Sequence, residues 1–222
     1  MNIVKPGFRI LSHVDGDEIL RLIEEVGRTC YKSEDLITDG SKEKFVSNII
    51  KRGHEAVIEH FNITVKLTND RGVSHEQVRH RIASYAQEST RYCNYSKDKF
   101  NGEVTYIDII GGIKLDPKMK TMDAETVAAI YAEWFQACQD AERHYLRMLE
   151  LGATPQIARR VLNNSTKTEI CITMNIREWR HYFKLRTSPA AHPQIREVSI
   201  MLLKWFKENI PVFFDDIEIN ED

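Results

Sequence analysis

The chain has 222 residues, and its 31 Lys and Arg against 33 Asp and Glu leave a formal charge of −2. That near-balance excludes the broad basic surface of a nucleic-acid polymer binder, and 42% apolar with 29% charged residues is an ordinary globular mix rather than a disordered one. A core of this size needs neither disulfides nor a structural metal.

No linker, repeat or low-complexity tract interrupts the chain, so one domain over residues 1–222 is expected. Asp15 to Tyr31 carries Ile19, Leu20, Leu22, Ile23 and Val26 at helical spacing. Ser41 to Lys51 repeats the pattern with Phe45, Val46, Ile49 and Ile50, and Gly53 stops it. Phe61 to Thr68 alternates apolar and polar residues, the mark of a strand with one wet face. Ser74-x-x-Gln77 reads as a capping box opening a helix through Ala86 or beyond. A strand is expected around Glu103 to Ile110. A long helix follows from Asp123, with Val127, Ile130, Tyr131, Trp134, Cys138, Ala141, Tyr145 and Leu149 spaced for burial and Gly152 near its end. Thr154-Pro155 starts a short helix, Thr168 to Met174 alternates as a strand, and helices are expected over 177–185 and 194–209. Without a regular β-α-β beat this is an α+β chain, with mixed helices and a largely antiparallel sheet, not a Rossmann fold.

The ten glycines form neither G-x-G-x-x-G nor a P-loop, so side chains, arginines above all, must hold any nucleotide phosphate. The four cysteines have no C-x-x-C spacing, and the N-terminus MNIVKPGFRI lacks a signal-peptide layout. A cytoplasmic protein is expected, with no metal.

On a helix, His80, Ser84, Gln87 and Arg91 would share one stripe, with Val78, Ile82 and Tyr85 turned to the core. Such a stripe suits an anionic ligand, because guanidinium grips phosphate bidentately; a solvated face is the alternative. Gln156 to Arg186 holds seven Lys and Arg against two Glu, and Lys207 to Asp222 holds six acids against one Lys. Spacing leaves open whether that basic segment is a ligand site or docks the acidic tail. His54-Glu55-Ala56-Val57-Ile58 fails H-E-x-x-H at Ile58, and Cys93 has no identifiable base. A non-catalytic RNA-binding module would use the same arginines, but it would need a basic, aromatic-studded sheet that is not evident.

Arg79-His80-Arg81-x-x-Ser84 resembles the R-H-R-x-x-S signature of the flavin-dependent thymidylate synthases, the ThyX type. Gly53-His54-Glu55 with Glu59-His60 is similar to an upstream element of that family. Ala158-Arg159, Asn175-Ile176-Arg177, Phe183-Lys184-Leu185-Arg186 and His192-Pro193-Gln194 follow in family order, over roughly residues 45 to 210. The resemblance implies a ThyX-like homotetramer with active sites at subunit junctions. It implies methylation of dUMP to dTMP, with methylenetetrahydrofolate as carbon donor and NADPH as reductant through FAD. By matching position, Ala56, Arg79, His80, Arg81, Gln87, Asn175, Ile176, Arg177 and His181 are the FAD candidates. Glu76, Gln77, Val78, Arg79, Gln87, Glu88, Ser89, Thr90, Arg91, Arg159 and Arg186 are the dUMP candidates. Arg186 is the catalytic candidate, stabilising negative charge on the pyrimidine edge. Ala86, Glu76 and His181 depart from the commonest family residues, and the segment 187–191 is longer than in some relatives.

Overall fold

The computed structural model describes residues 1–219; Glu221 and Asp222 of the acidic tail lie outside the described residues. In chain order the elements are β1 (Asn2–Val4), β2 (Gly7–Ile10), α1 (Gly16–Tyr31), α2 (Lys42–Lys51), β3 (Asn62–Asp70), α3 (Arg71–Gln77), β4 (Ser84–Gln87), β5 (Thr105–Ile107), α4 (Ile110–Leu115), α5 (Ala124–Glu150), α6 (Pro155–Ala158), β6 (Lys167–Asn175), α7 (Ile176–Arg186), α8 (Pro193–Asn209) and α9 (Pro211–Phe214). A 3₁₀ turn over Glu55–His60 leads into β3.

Strands β2-β3-β6-β4 form an antiparallel sheet, as expected, and β1 pairs with β5 in a small parallel pair. The spine is β3 on β6, in register from Asn62↔Asn175 to Asp70↔Lys167. Alternation puts Ile63, Val65 and Leu67 beside Ile170, Ile172 and Met174 on one face, all buried. The core built on that face takes in Ile19 and Ile23 of α1, Trp179 and Phe183 of α7 and Leu203 and Phe206 of α8. On the wet face Thr64 and Thr173 hydroxyls lie 2.9 Å apart and Lys66 pairs with Glu169. A separate cluster of Tyr95, Val104, Tyr106, Cys138, Tyr145 and Ala158 sits under α5.

Helix starts follow capping chemistry. Asp15 Oδ1 accepts from the Asp17 and Glu18 amides, Asp123 from Thr126, and Asn175 from Glu178; each such cap contributes about 1 kcal/mol. Helix α4 reaches α8 closely because it carries two glycines: a Cβ on Gly111 would collide with the Glu197 carboxyl, and one on Gly112 with the Gln194 side chain. Burial pushes the Glu197 carboxyl up to about 7, with repulsion from Asp108 adding to it.

Three expectations are corrected. Helix α3 begins three residues before Ser74, capped by Asp70 Oδ1 on the Val73 amide at 2.6 Å, and it ends at Gln77. Ser74 and Gln77 are therefore internal to the helix: Ser74 Oγ donates to the Arg71 carbonyl and Gln77 is buried. Beyond it, residues 84–87 form β4, paired Ser84↔Thr173 to Gln87↔Ile170 with β6. The helical stripe of His80, Ser84, Gln87 and Arg91 does not exist, and Val78 and Ile82 are 39% and 65% exposed rather than turned inward. Lastly, α5 has the expected length, but of its apolar face only Cys138 and Tyr145 are fully buried.

Candidate active site

Strand β4 pairs with residues 170–173 of β6, so Glu76 and His80 on one side of it meet Glu178 and Arg186 of α7, while Glu88 and Thr90 on the other meet Lys167 and Arg159. At the centre stands Arg186, on the last turn of α7. Its Nε donates to His80 Nε2 at 3.1 Å, Nη1 to Glu76 Oε2 at 2.8 Å and Nη2 to the Glu76 carbonyl at 3.0 Å. On the other side of the imidazole, His80 Nδ1 is 3.0 Å from Glu178 Oε1. The His80 ring is 4% exposed, and burial lowers its pKa from the ordinary value. The Glu178 carboxylate opposes that shift and the Arg186 guanidinium adds to it. Accepting the Arg186 Nε–H requires a lone pair on Nε2, which makes His80 a neutral imidazole. Tyr85 fixes the connection between α3 and β4 by donating to both the Gln77 and His80 carbonyls, at 2.8 and 2.7 Å.

Two clefts collect several of the remaining candidates. The first, about 400 Å³, is lined by Glu55, Glu59, Ile82, Asn175, Arg177 and His181 among others, a size within the range of small-molecule sites. It collects three flavin candidates, Asn175, Arg177 and His181, and Ala56 is exposed on the adjoining turn. Arg177 Nη1 donates to Glu59 Oε1 at 2.6 Å, and Glu55 lies 3.7 Å from its Nε. Arg79 and Arg81 are exposed, and no described residue pairs with either guanidinium. A cleft that offers the Arg177 guanidinium, the Asn175 amide and the His181 imidazole suits the diphosphate and ring edges of a flavin dinucleotide.

The second cleft, about 270 Å³, is lined by Arg71, His75, Thr90, Arg159, Arg160 and Asn163 among others. Here Arg159 Nη1 donates to Thr90 Oγ1 at 2.9 Å, which joins two of the dUMP candidates. Ser89 and exposed Arg91 continue the same loop. Glu88 turns the other way, held by Lys167 Nζ at 3.2 Å and by the Tyr95 hydroxyl at 2.9 Å. Gln87 is also engaged, donating to Ser74 Oγ and Thr168 Oγ1. The side chains of Gln77 and Ile176 are sealed in the interior: Gln77 accepts from Asn69 Nδ2 at 2.8 Å, and Ile176 belongs to the main core.

His80, Glu178 and His181 place their ligand atoms within 4.8 Å of one another. A cation there would sit against the Arg186 guanidinium that already occupies His80 Nε2, so the set is better suited to hydrogen bonding than to metal. Cys93 has its thiol pKa raised by burial and by Glu88, which keeps it protonated and inert. Residues that the motif reading missed are Glu178, Arg71, His75 and Asn163. Glu178 lies 98 positions from His80, and only the fold brings the two together.

A family model described as Thymidylate synthase complementing protein matches residues 9–212. The chain is 31% identical over 202 residues to a flavin-dependent thymidylate synthase of Corynebacterium aurimucosum, covering 89% of this chain and 80% of that protein. It is 33% identical over 198 residues to one of Geobacter sulfurreducens, covering 85% and 78%. Among solved structures it is similar to the UMP/dUMP methylase PolB from Streptomyces cacaoi, bound with 5-Br dUMP. That likeness has a TM-score of 0.79 at 20% identity, over 97% of this chain and 96% of the other. Among the described residues no helix is long and apolar enough to cross a membrane.

Proposed function

The chain belongs to the flavin-dependent thymidylate synthase family, and we propose that it methylates dUMP to dTMP, with methylenetetrahydrofolate as carbon donor and NADPH as reductant through FAD. The observation that carries this reading is the position of Arg186. Its guanidinium is held by Glu76 and His80, and His80 in turn by Glu178, which lines the cleft suited to a flavin dinucleotide, while Thr90 and Arg159 line the one suited to a nucleotide phosphate.

Carbon 5 of uracil is a weak nucleophile. A fixed cation at the N3/O4 edge stabilises negative charge on the ring and raises electron density at carbon 5, without a covalent enzyme thiol. Arg186 supplies that cation. Arg159, Arg91 and the Thr90 hydroxyl hold the phosphate or ribose, which is binding rather than chemistry. Arg79, Arg81, Arg177, Asn175 and His181 hold the flavin, which supplies the redox chemistry when bound. Glu76 remains paired with Arg186, and as a carboxylate it acts as an acceptor only. The protein works in the cytoplasm as a homotetramer in this reading, with the open clefts completed at subunit junctions.

The test is direct. Purified protein should be yellow and form dTMP from dUMP, methylenetetrahydrofolate and NADPH. Flavin uptake with NADPH oxidation but no dTMP would instead make it a flavoprotein reductase.

A further inference from the structure

Glu178 lines the first cleft, is only 8% exposed and touches the group that touches Arg186. The hydrogen-bond directions leave one arrangement. An arginine Nε–H only donates, so His80 Nε2 must offer its lone pair to the Arg186 Nε 3.1 Å away. The neutral imidazole then carries its proton on Nδ1, and that proton needs an acceptor. Glu178 Oε1, 3.0 Å from Nδ1, is a carboxylate oxygen that can only accept. The ring cannot swing out of line, since Tyr182 packs 4.9 Å from its centroid and His181 5.6 Å from it edge-on. The backbone that carries Glu178 is anchored at the start of α7, where its main-chain amide donates to Asn175 Oδ1 at 2.8 Å.

We propose that Glu178 is a positioning residue for Arg186: it locks His80 in the Nδ1–H tautomer, and the Nε2 lone pair so exposed holds the guanidinium in one orientation. One helix thereby supplies both the cation and the carboxylate that aligns it, through an imidazole from another part of the chain. The inference rests on the reading that Arg186 acts on bound dUMP.

Glu178→Gln tests it with little change of shape. An amide can donate as well as accept, so the variant admits the Nε2–H tautomer, which turns a donor against Arg186 Nε–H. The first readout is the ¹⁵N spectrum of protein labelled at histidine. Wild type should show His80 as a single Nδ1–H tautomer, and Glu178→Gln a mixture of the two. The second readout is kinetic: kcat for dTMP formation should fall about tenfold or more, with KM for dUMP changed less than about threefold, the pattern of a lost transition-state contact. Flavin absorbance and the thermal midpoint should stay close to wild type, which separates the effect from unfolding. A wild-type Nε2–H tautomer, an unchanged kcat, or a loss confined to KM would each overturn the proposal. Wild-type protein that makes no dTMP would instead remove the functional reading, while the tautomer measurement would still decide what Glu178 does to His80.

Discussion

A guanidinium has five N–H groups, and three of those on Arg186 are occupied by His80 and Glu76. One N–H remains on each terminal nitrogen, a planar pair that a flexible ammonium does not reproduce. Arg186→Lys should therefore lower kcat about a hundredfold, the usual effect of losing one preorganised donor, while KM for dUMP moves less than about threefold. Steady-state kinetics on flavin-loaded protein decides it, and near-normal turnover would take Arg186 out of the activating role. Cys93 makes the opposite case. Its thiol is held protonated, so Cys93→Ala should keep dTMP formation within about twofold of wild type. Complete loss with flavin and dUMP still bound would restore a thiol route. At this scale the sequence exposed Arg186, His80 and Glu76 through the motifs that contain them, and it hid Glu178. A tautomer lock between residues 98 positions apart leaves no local pattern.

Among elements, the α4–α8 contact carries the clearest stability signature. Glu197 is pressed against Gly111, with one buried carboxyl oxygen that has no hydrogen-bond partner among the described residues. Its pKa, pushed up to about 7 from the usual 4.5, means that the folded protein keeps a proton that the unfolded chain releases. A raised acid pKa makes stability highest below the unfolded value and erodes it as pH rises from about 4.5 to about 7. Glu197→Gln keeps the shape and removes the charge, so it should flatten this part of the stability–pH curve and be more stable than wild type at pH 8. Urea unfolding at pH 5 and pH 8 tests both; an equal pH slope in the two proteins would move the titration to another group.

The same scale shows where local reading of the sequence succeeds. Strands β3 and β6 were legible because each alternates over its own length and each buries one face. The segment from residue 78 to 91 was not. Ala, Ser, Tyr and Gln are acceptable in a helix, and what makes residues 84–87 a strand is an open edge on β6, a non-local partner. The accidental Ser74-x-x-Gln77 spacing strengthened the wrong choice, while Asp70, the real cap, sits at the end of a strand pattern.

Across the whole molecule, the −2 total conceals opposed regions that partly meet. Arg180 of the basic segment is buried and bonds both carboxylate oxygens of Asp216 in the acidic tail. That contact bears out intramolecular docking for one arginine; Arg79 and Arg81, outside that segment, are exposed and have no ion-pair partner among the described residues. Near them Val78, Ile82 and Leu185 are exposed, and most of the apolar face of α5 is half-covered. Association of copies would cover such apolar side chains. Light scattering should give a mass four times the 25.9 kDa chain, and a particle of single-chain mass would end the homotetramer reading.

The uncompensated guanidiniums also tie the survival of the fold to its diet of small anions. A ligand that binds only the folded state raises apparent stability by about 2.7 kcal/mol at a hundred times its dissociation constant. Flavin or inorganic pyrophosphate should lift the melting temperature of wild type, and Arg79→Gln should blunt that rise without lowering the ligand-free midpoint. A cell short of the cofactor would then hold less of the enzyme as well as a slower one, because the empty protein is the form that proteases find open.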